Sequence, residues 1–446
     1  MLRRSAISFF LVLVALLAGA RTRPHYGGTL RVEIEDDPWQ QPNGIARRLV
    51  YDGLTRMDSA GLPVPALSAD WKADNDHHRW QFRLRPDAHF SDGTPVTSVN
   101  VVSSLNASCP SNCPWSAVHA VGAAVVFTSD SPIPVLPALL AGDAYLIALP
   151  NPDSSSDQRL LGTGPFQAAG FANNVLKLAA NENCWQGRPF ADTIEIRVHR
   201  AIRDQWLDLS VGRADIVEVP AEQLRQAQQS HLRLLTSPPI TLLALEISDT
   251  GALANPPLRA AISLAVDRGA LSNVIYQKQG EVTASLLPSG ISGYSFLFPT
   301  DRDLNKAHEL RGGLTSAQLT LSSQGGPTLQ LAAQRIALNL REAGFNVQAA
   351  TGTQHGDLIL RTFALESRDP QSTLESLLRG AGQPISSGDP APAALYKVEH
   401  EFLERKTLIP LLYLPRSYAA SGRVRDLRLD AAGTPDLAAT SLEGAP

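Results

Sequence analysis

Residues 80–97 read WQFRLRPDAHFSDGTPVT, and this stretch contains three signals for local structure. Residues 80–85 alternate strictly between apolar and polar side chains, which predicts a half-buried strand. The segment FSDGTP at 90–95 predicts a turn, because Asp and Gly suit the backbone angles that tight turns need. Residues 97–105 then predict a helix with Thr97 as its N-cap. The stretch therefore predicts a strand, a turn and a helix in close succession.

Strands and helices alternate along the rest of the chain. The apolar run at 240–247 is nearly continuous, which indicates a strand buried in a parallel sheet. The alternation as a whole predicts an α/β fold. Further strands are expected at 27–34, 175–179, 193–198, 317–322, 345–350 and 408–414, and helices at 44–54, 200–212, 220–229, 258–276, 328–343 and 393–405.

Composition restricts the class of protein. The chain has 446 residues, of which 43% are hydrophobic and 18% charged, so it is globular and long enough for about three domains. The net charge of −4 lacks the basic surplus that nucleic-acid-binding proteins carry, and we expect no nucleic-acid partner. A single long apolar run, at the N-terminus, argues against a protein with several membrane spans.

The first 20 residues are typical of a secretory signal peptide. Two arginines precede an unbroken apolar run at 9–17, and Ala18-Gly19-Ala20 matches an A-x-A cleavage site. We therefore expect residues 1–20 to be removed on export, with a mature chain that starts at Arg21 in the periplasm. The alternative is a retained signal that anchors the protein to the membrane.

Export changes the interpretation of the three cysteines, because oxidising compartments favour disulfides. Cys109 and Cys113 flank a turn-rich segment, and we expect them to form a small disulfide loop. Half of a metal site is the alternative, but neither a second cysteine pair nor a histidine cluster accompanies them. Cys184 is expected to be free and buried.

The common catalytic and metal-binding motifs are absent from the sequence. It contains no G-x-S-x-G elbow, no Walker A loop and no G-x-G-x-x-G segment. His308-Glu309 begins an H-E-x-x-H motif, but Gly312 occupies the position of the second histidine. His77-His78 falls in a polar turn. We therefore expect no catalytic residues, no metal site and no cofactor.

Several segments carry further motifs in a fixed order. Besides 80–97, they are VYDGL at 50–54, PALSADW at 65–71, GTGPF at 162–166, NENCW at 181–185, GRADI at 212–216, LRAAISLAVDR at 258–268 and IPL at 409–411. In type and order they resemble motifs of the family 5 extracellular solute-binding proteins, which deliver dipeptides, oligopeptides and nickel complexes to ABC importers. The resemblance extends from about residue 27 to about residue 429.

The resemblance implies a two-lobed α/β fold of the periplasmic-binding-protein kind, type II-like, with an extra subdomain inserted in lobe I. It implies that lobe I covers 21–242, including a subdomain at about 61–160. Lobe II would cover 243–405, and residues 406–446 would return to lobe I. A ligand would bind between the lobes, and a hinge would close over it.

Three candidate ligand-binding residues also follow from the resemblance. Residues 363–370, FALESRDP, resemble a motif whose acidic residue binds the α-ammonium of a peptide, which implies that role for Glu366. Phe363 replaces the usual Trp of that motif and would form a wall of the pocket. Ser248 replaces an Asn that many members have at the end of the strand that begins lobe II.

The sequence thus predicts a solute-binding protein of an ABC importer that captures peptides or similar small solutes. Metal chelates or sugars are the alternative ligands, and an exported peptidase is the alternative from another class of protein. The expected partners are the small-molecule or peptide ligand and the permease subunits of the transporter. We expect the protein itself to be a monomer.

Overall fold

The computed structural model describes residues 26–39, 44–58, 61–109, 113–150, 160–230, 232–294, 297–312, 318–323, 325–351, 356–365, 367–383 and 391–443. The expected signal peptide at 1–20 lies outside these residues. None of the helices in the described ranges has the length and apolar character needed to cross a bilayer.

The first lobe is built on a mixed seven-stranded sheet. Its central strand, Thr29–Glu33, is parallel to both of its neighbours, and its apolar side chains Leu30 and Val32 are fully buried. Helices Arg47–Val50, Ile202–Ser210 and Leu224–Gln229 belong to the same lobe. In spatial order the strands are Phe166–Ala172, Val175–Ala180, Thr193–Arg197, Thr29–Glu33, Ile216–Glu218, Ser417–Ala420 and Arg233–Thr236.

The second lobe is built on a six-stranded sheet covered by helices. In spatial order its strands are Glu281–Val282, Leu408–Leu414, Thr241–Ile247, Leu358–Ala364, Leu319–Ser323 and Val347–Thr351. The helices are Pro256–Ala265, Arg268–Ala270, Ser289–Ser292, Leu304–Arg311, Pro327–Glu342, Pro370–Gly380 and Pro392–Glu404. Apolar clusters lie on both faces of this sheet.

The central strand of this lobe corrects one prediction. Thr241–Ile247 is buried as expected, but it is antiparallel to both of its neighbours, so the parallel sheet predicted for 240–247 is wrong. Leu243 and Leu245 belong to one apolar cluster, and Leu242 belongs to the other. A strand covered on both faces carries a continuous apolar run whatever its direction, because successive side chains point to opposite faces.

A four-stranded antiparallel sheet forms the inserted subdomain. Its strands are Ser68–Ala73, Arg79–Leu84, Ala124–Thr128 and Ala117–Val121, and helices Ser98–Ser108 and Leu136–Leu139 and the 3₁₀ turn Asp143–Tyr145 pack with it. The strand and helix predicted from the opening stretch are both confirmed. Thr97 caps the helix, since its side chain accepts a hydrogen bond from the Asn100 backbone N–H at 3.2 Å.

Two short crossovers connect the lobes and lie side by side. One runs from Thr236 to Thr241 and the other from Leu414 to Ser417. The Ser237 N–H donates to the Arg416 carbonyl at 2.9 Å, and the Arg416 N–H donates to Ser237 Oγ at 2.9 Å. The second crossover comes later than the return expected at residue 406, because Leu408–Leu414 pairs with Thr241–Ile247 in the six-stranded sheet.

The long helix predicted at 258–276 is interrupted. Pro256–Ala265 ends because Val266 adopts an extended conformation, with φ −70° and ψ 122°. The Asp267 side chain then accepts a hydrogen bond from the Ala270 N–H at 2.8 Å and starts a new short helix. An aspartate that caps locally offers the backbone an alternative to a continuous helix, which an amphipathic pattern alone does not reveal.

Candidate functional site

A cavity of about 320 Å³ lies between the two lobes. Met57 and residues 138, 139 and 141–145 of the inserted subdomain form one wall, and Ser367 with part of helix Pro370–Gly380 forms the other. The second wall belongs to the lobe built on the six-stranded sheet. The cavity therefore exists only while the two lobes are held together.

Hydroxyl groups line much of this cavity. They come from Tyr145 on one wall and from Ser367, Ser372, Thr373 and Ser376 on the other. The remaining lining consists largely of small and apolar side chains. A few polar groups in a mostly apolar concave site are typical of small-molecule binding.

Helix Pro370–Gly380 presents its polar side to the cavity because of its sequence spacing. Asp369 caps the helix by accepting from the Ser372 N–H at 2.8 Å. Leucines 374, 377 and 378 are buried in the apolar cluster of the lobe. Ser372, Ser376 and Arg379 are four and three positions apart, so they share the other face, which lines the cavity.

Arg379 has hydrogen-bonding capacity that the described residues do not use. Its Nη1 donates to the Tyr145 hydroxyl at 2.7 Å, and its guanidinium carbon lies 5.4 Å from the centre of the Tyr145 ring. Its Nε and Nη2 are buried and have no hydrogen-bond partner among the described residues. A buried donor without a partner costs about 1–3 kcal/mol.

Asp143, the acidic residue of the opposite wall, is already neutralised. It is buried, and its Oδ1 lies 2.8 Å from Arg48 Nε. Arg47 Nη2 also donates to the Asp143 carbonyl at 2.9 Å. The charge of Asp143 is therefore balanced within lobe I rather than by Arg379.

Glu375 lies one helical turn before Arg379 and is also buried. Its Oε1 accepts from Gln371 Nε2 at 2.9 Å, and its Oε2 has no hydrogen-bond partner among the described residues. Burial raises the pKa of this carboxyl to about 7, and the Gln371 hydrogen bond and the Arg379 charge oppose that rise. At acidic pH the helix thus presents the Arg379 charge beside a protonated Glu375.

The structure does not bring Phe363 and Ser248 together. Phe363 is buried behind the end of the cavity helix, where a Cβ on Gly380 would lie 3.2 Å from its Cδ1. Ser248 follows Ile247, at the opposite end of the antiparallel strand pair, and its Oγ lies 2.7 Å from Thr250 Oγ1. Antiparallel pairing separates the two positions by about 20 Å, and neither side chain lines the cavity.

Glu366 lies outside the described residues, but the next residue in the sequence is part of the cavity. Ser367 is buried, and its Oγ accepts from Ser372 Oγ at 3.0 Å. Its carbonyl accepts from Thr373 Oγ1 at 2.9 Å. The segment that resembles the ammonium-binding motif therefore runs into the wall of the cavity.

Sequence reasoning did not find Arg379, Tyr145 or Asp143. The signal for Arg379 was present in the helix, as a polar face at 372, 376 and 379 opposite three leucines. No comparable local pattern marks Tyr145 or Asp143, since they reach the cavity through a 3₁₀ turn of the inserted subdomain.

The cysteines lie in two separate places. Cys109 and Cys113 are joined as a disulfide, with their Cα atoms 5.7 Å apart. Cys184 is buried and unpaired, and burial raises its pKa to about 11. Within the described ranges, no three His, Cys, Asp or Glu side chains come close enough to hold a metal ion together.

Comparison with known proteins identifies a family that matches most of the chain. The family described as bacterial extracellular solute-binding proteins, family 5 middle, matches residues 63–391. SapA, the peptide transport periplasmic protein of Salmonella typhimurium, is 27% identical over 245 residues, which cover 50% of this chain and 44% of SapA. The chain spans about half the length of the curated relatives it matches.

Solved structures share the fold over nearly the whole chain. DppA from Helicobacter pylori, in complex with the peptide STSA, is similar with a TM-score of 0.82 and 18% identity, over 94% of this chain and 99% of DppA. NikA from Staphylococcus aureus, in complex with Ni(L-His)2, has a TM-score of 0.81 and 18% identity, over 93% of this chain and 100% of NikA. These likenesses confirm the predicted two-lobed α/β fold.

Proposed function

This chain belongs to the bacterial extracellular solute-binding proteins of family 5, and we propose that it captures peptides or similar small solutes for an ABC importer by hinge closure. The observation that carries the proposal is the cavity whose walls come from both lobes. A site divided in this way binds its ligand fully only in the closed state. It performs no chemistry on the ligand.

The crossovers and the cavity together supply a mechanism for closure. The lobes are linked through the paired crossovers at Ser237 and Arg416, and across the cavity Arg379 donates to Tyr145. A ligand that contacts both walls binds the closed state more tightly than the open state. Binding therefore stabilises the closed state relative to the open state by the difference between the binding free energies of the two states, and the closed population rises.

Short peptides are the ligand class that we propose. The peptide-transport role in the name of SapA and the peptide bound to DppA support this class. Glu366 would bind the α-ammonium, as the family resemblance implies. A metal chelate is the second candidate, favoured by the likeness to NikA with its bound nickel–histidine complex.

The proposal extends to location and partners. The protein would reach the periplasm through cleavage of residues 1–20, and its closed form would dock on the permease subunits of the transporter. SapA is named as a periplasmic protein, which supports this location. The protein would act as a monomer, with residues 243–414 as the second lobe.

The experiment fills the cavity and asks whether the ligand is lost. Ser376 lines the cavity on the second lobe, and Ser376→Trp would occupy much of its volume. Ser103→Trp places the same side chain on an exposed position of helix Ser98–Ser108 and serves as the control. Both variants and the wild type are isolated from the periplasm and compared by native mass spectrometry.

We expect the wild type and Ser103→Trp to carry bound small molecules with the masses of short peptides, and Ser376→Trp to be empty but folded. Circular dichroism verifies the fold. If Ser376→Trp retained the same ligand at the same occupancy, the cavity would not be the binding site.

A further inference from the structure

We infer that a contact outside the cavity acts as a latch, in which Glu35 and Glu222 of the first lobe hold the start of helix Pro327–Glu342 in the second lobe and stabilise the closed state without a ligand. The inference rests on the proposed function, because a latch acts only if the lobes open and close. None of these residues lines the cavity, so the latch assigns part of the free energy of closure to the protein itself.

The start of helix Pro327–Glu342 has no cap from its own lobe among the described residues. Gly326 is the N-cap residue, and no side-chain cap hydrogen bond is made there. A glycine has no side-chain oxygen to accept from the first N–H groups of a helix, which carry a partial positive charge. This helix of 16 residues therefore presents an uncompensated positive end.

Glu35 places a carboxylate at this helix end from the other lobe. It follows the central strand Thr29–Glu33 of the seven-stranded sheet. A Cβ built on Gly326 would lie 3.1 Å from Glu35 Cδ and closer still to its Oε2. The φ of Gly326 is −66°, which any residue adopts, so the missing Cβ matters here for the room it leaves. The Glu35 carboxylate occupies that room, and a negative group is stabilised at a helix N-terminus.

Glu222 makes the second contact of the latch. It lies in the 3₁₀ turn Ala221–Gln223, which follows a strand of the first lobe, and its Oε1 accepts from Thr328 Oγ1 in the second lobe. Ala221 packs against the apolar cluster of the second lobe. Burial and the charge of Glu222 raise the pKa of Tyr276, a buried member of that cluster. The turn therefore meets the second lobe through both a hydrogen bond and apolar surface.

The two carboxylates converge on one helix end. Burial is the main cause that raises the pKa of Glu35, and the charges of Asp36 and Glu222 add to it. Repulsion among these acids opposes the contact, whereas the helix N-terminus and the Thr328 hydroxyl favour it. The hydrogen bond to Glu222 is charge-assisted, a class that changes an equilibrium about 10- to 100-fold. We therefore expect the attraction to exceed the repulsion when the lobes meet.

A latch changes ligand affinity without contacting the ligand. If the closed state is the binding-competent one, the observed affinity is proportional to the fraction of ligand-free protein that is closed. Loss of the latch should therefore weaken the binding of chemically different ligands by one common factor. A residue that contacts the ligand would instead change its preference among ligands.

The test measures closure in the ligand-free protein. Spin labels are placed at Ser103 of the inserted subdomain and Lys397 of the second lobe, both of which are exposed. Double electron–electron resonance then gives the ratio of closed to open protein for the wild type, Glu222→Ala, Thr328→Val and the double variant. Native mass spectrometry verifies that each sample is empty, and circular dichroism verifies that it is folded.

Thr250→Val is the matched control. It also removes a threonine hydroxyl, but Thr250 Oγ1 lies 2.7 Å from Ser248 Oγ, within the second lobe. We expect the wild type and this control to show a closed population beside an open one. Glu222→Ala and Thr328→Val should each lower the closed-to-open ratio about 10- to 100-fold. The double variant should lose no more than either single variant, because both changes remove the same contact.

The Glu35 contact has a separate test in Gly326→Ala. The added Cβ displaces the Glu35 carboxylate from the helix end, so the closed-to-open ratio should fall. Gly290→Ala is its control, because a Cβ there has no atom within 4 Å. An unchanged ratio in Gly326→Ala would remove Glu35 from the latch.

Two results would overturn the latch as a whole. One is a ligand-free wild type that is wholly open, or whose distance distribution Glu222→Ala and Thr328→Val leave unchanged. The other is a double variant in which the two single effects add, because they would then not arise from one contact between the lobes.

Calorimetry with tripeptides separates these results from a failure of the proposed function. Tripeptide binding together with unchanged distance distributions would refute the latch and leave the proposed function standing. If the distributions changed as expected but no tripeptide bound to the wild type, the latch would stand and the peptide class would be refuted.

Discussion

Glu375 allows a quantitative test of the electrostatics of the cavity helix. Glu375 is 4% exposed, and burial raises the pKa of its carboxyl group from 4.5 to about 7. The folded protein therefore favours the protonated form, so the contribution of Glu375 to stability is complete below pH 4.5 and is lost as the pH rises through 7. The difference between the two pKa values corresponds to about 3 kcal/mol of unfolding free energy.

Glu375→Gln keeps the shape of the side chain and cannot ionise. Between pH 5 and pH 8, urea unfolding should show the wild type losing about 2.5 kcal/mol that the variant does not lose. Glu401→Gln, at an exposed position of helix Pro392–Glu404, should follow the wild type. Parallel pH profiles for wild type and Glu375→Gln would contradict the raised pKa, because they would mean that Glu375 is ionised in the folded protein at both pH values.

Three further predictions concern residues named from the sequence. Glu366→Gln should weaken the binding of tripeptides with a free α-ammonium about 10- to 100-fold and leave the binding of N-acetylated tripeptides unaffected, as measured by calorimetry. If the variant changed the affinity for both kinds of tripeptide equally, Glu366 would not be the group that binds the ammonium. Thiol titration of the folded, unreduced protein should find Cys109 and Cys113 unreactive as a disulfide and Cys184 unreactive until unfolding, whereas three fast thiols would contradict this. Mass analysis of the protein from its native host should give a mature chain that starts at Arg21, and an intact leader would favour the membrane anchor.

Predictions from local sequence patterns were the most reliable. The strand at Arg79–Leu84 and the Thr97 cap were predictable because alternation and capping depend only on neighbouring residues. The ordered motifs identified the family and its two-lobed fold. The match of the family at 63–391 confirms that identification.

Features that depend on distant parts of the chain were not predictable in the same way. The direction of Thr241–Ile247 is set by its partners, and its apolar run reports burial alone. Arg379 and Tyr145 meet across the cavity although 234 positions separate them. For Ser248, the resemblance identified the end of a strand but not its separation of about 20 Å from Phe363, which the antiparallel register sets.

We propose that a solute binds between two lobes that close on it. Spin labels at Ser103, on the inserted subdomain, and at Lys397, on helix Pro392–Glu404, occupy exposed positions on opposite sides of the cavity. Double electron–electron resonance would measure the distance between them before and after saturation with free-acid tripeptides. We predict a shift to a shorter and narrower distance distribution on binding. An identical distribution with peptide demonstrably bound would contradict closure of the lobes.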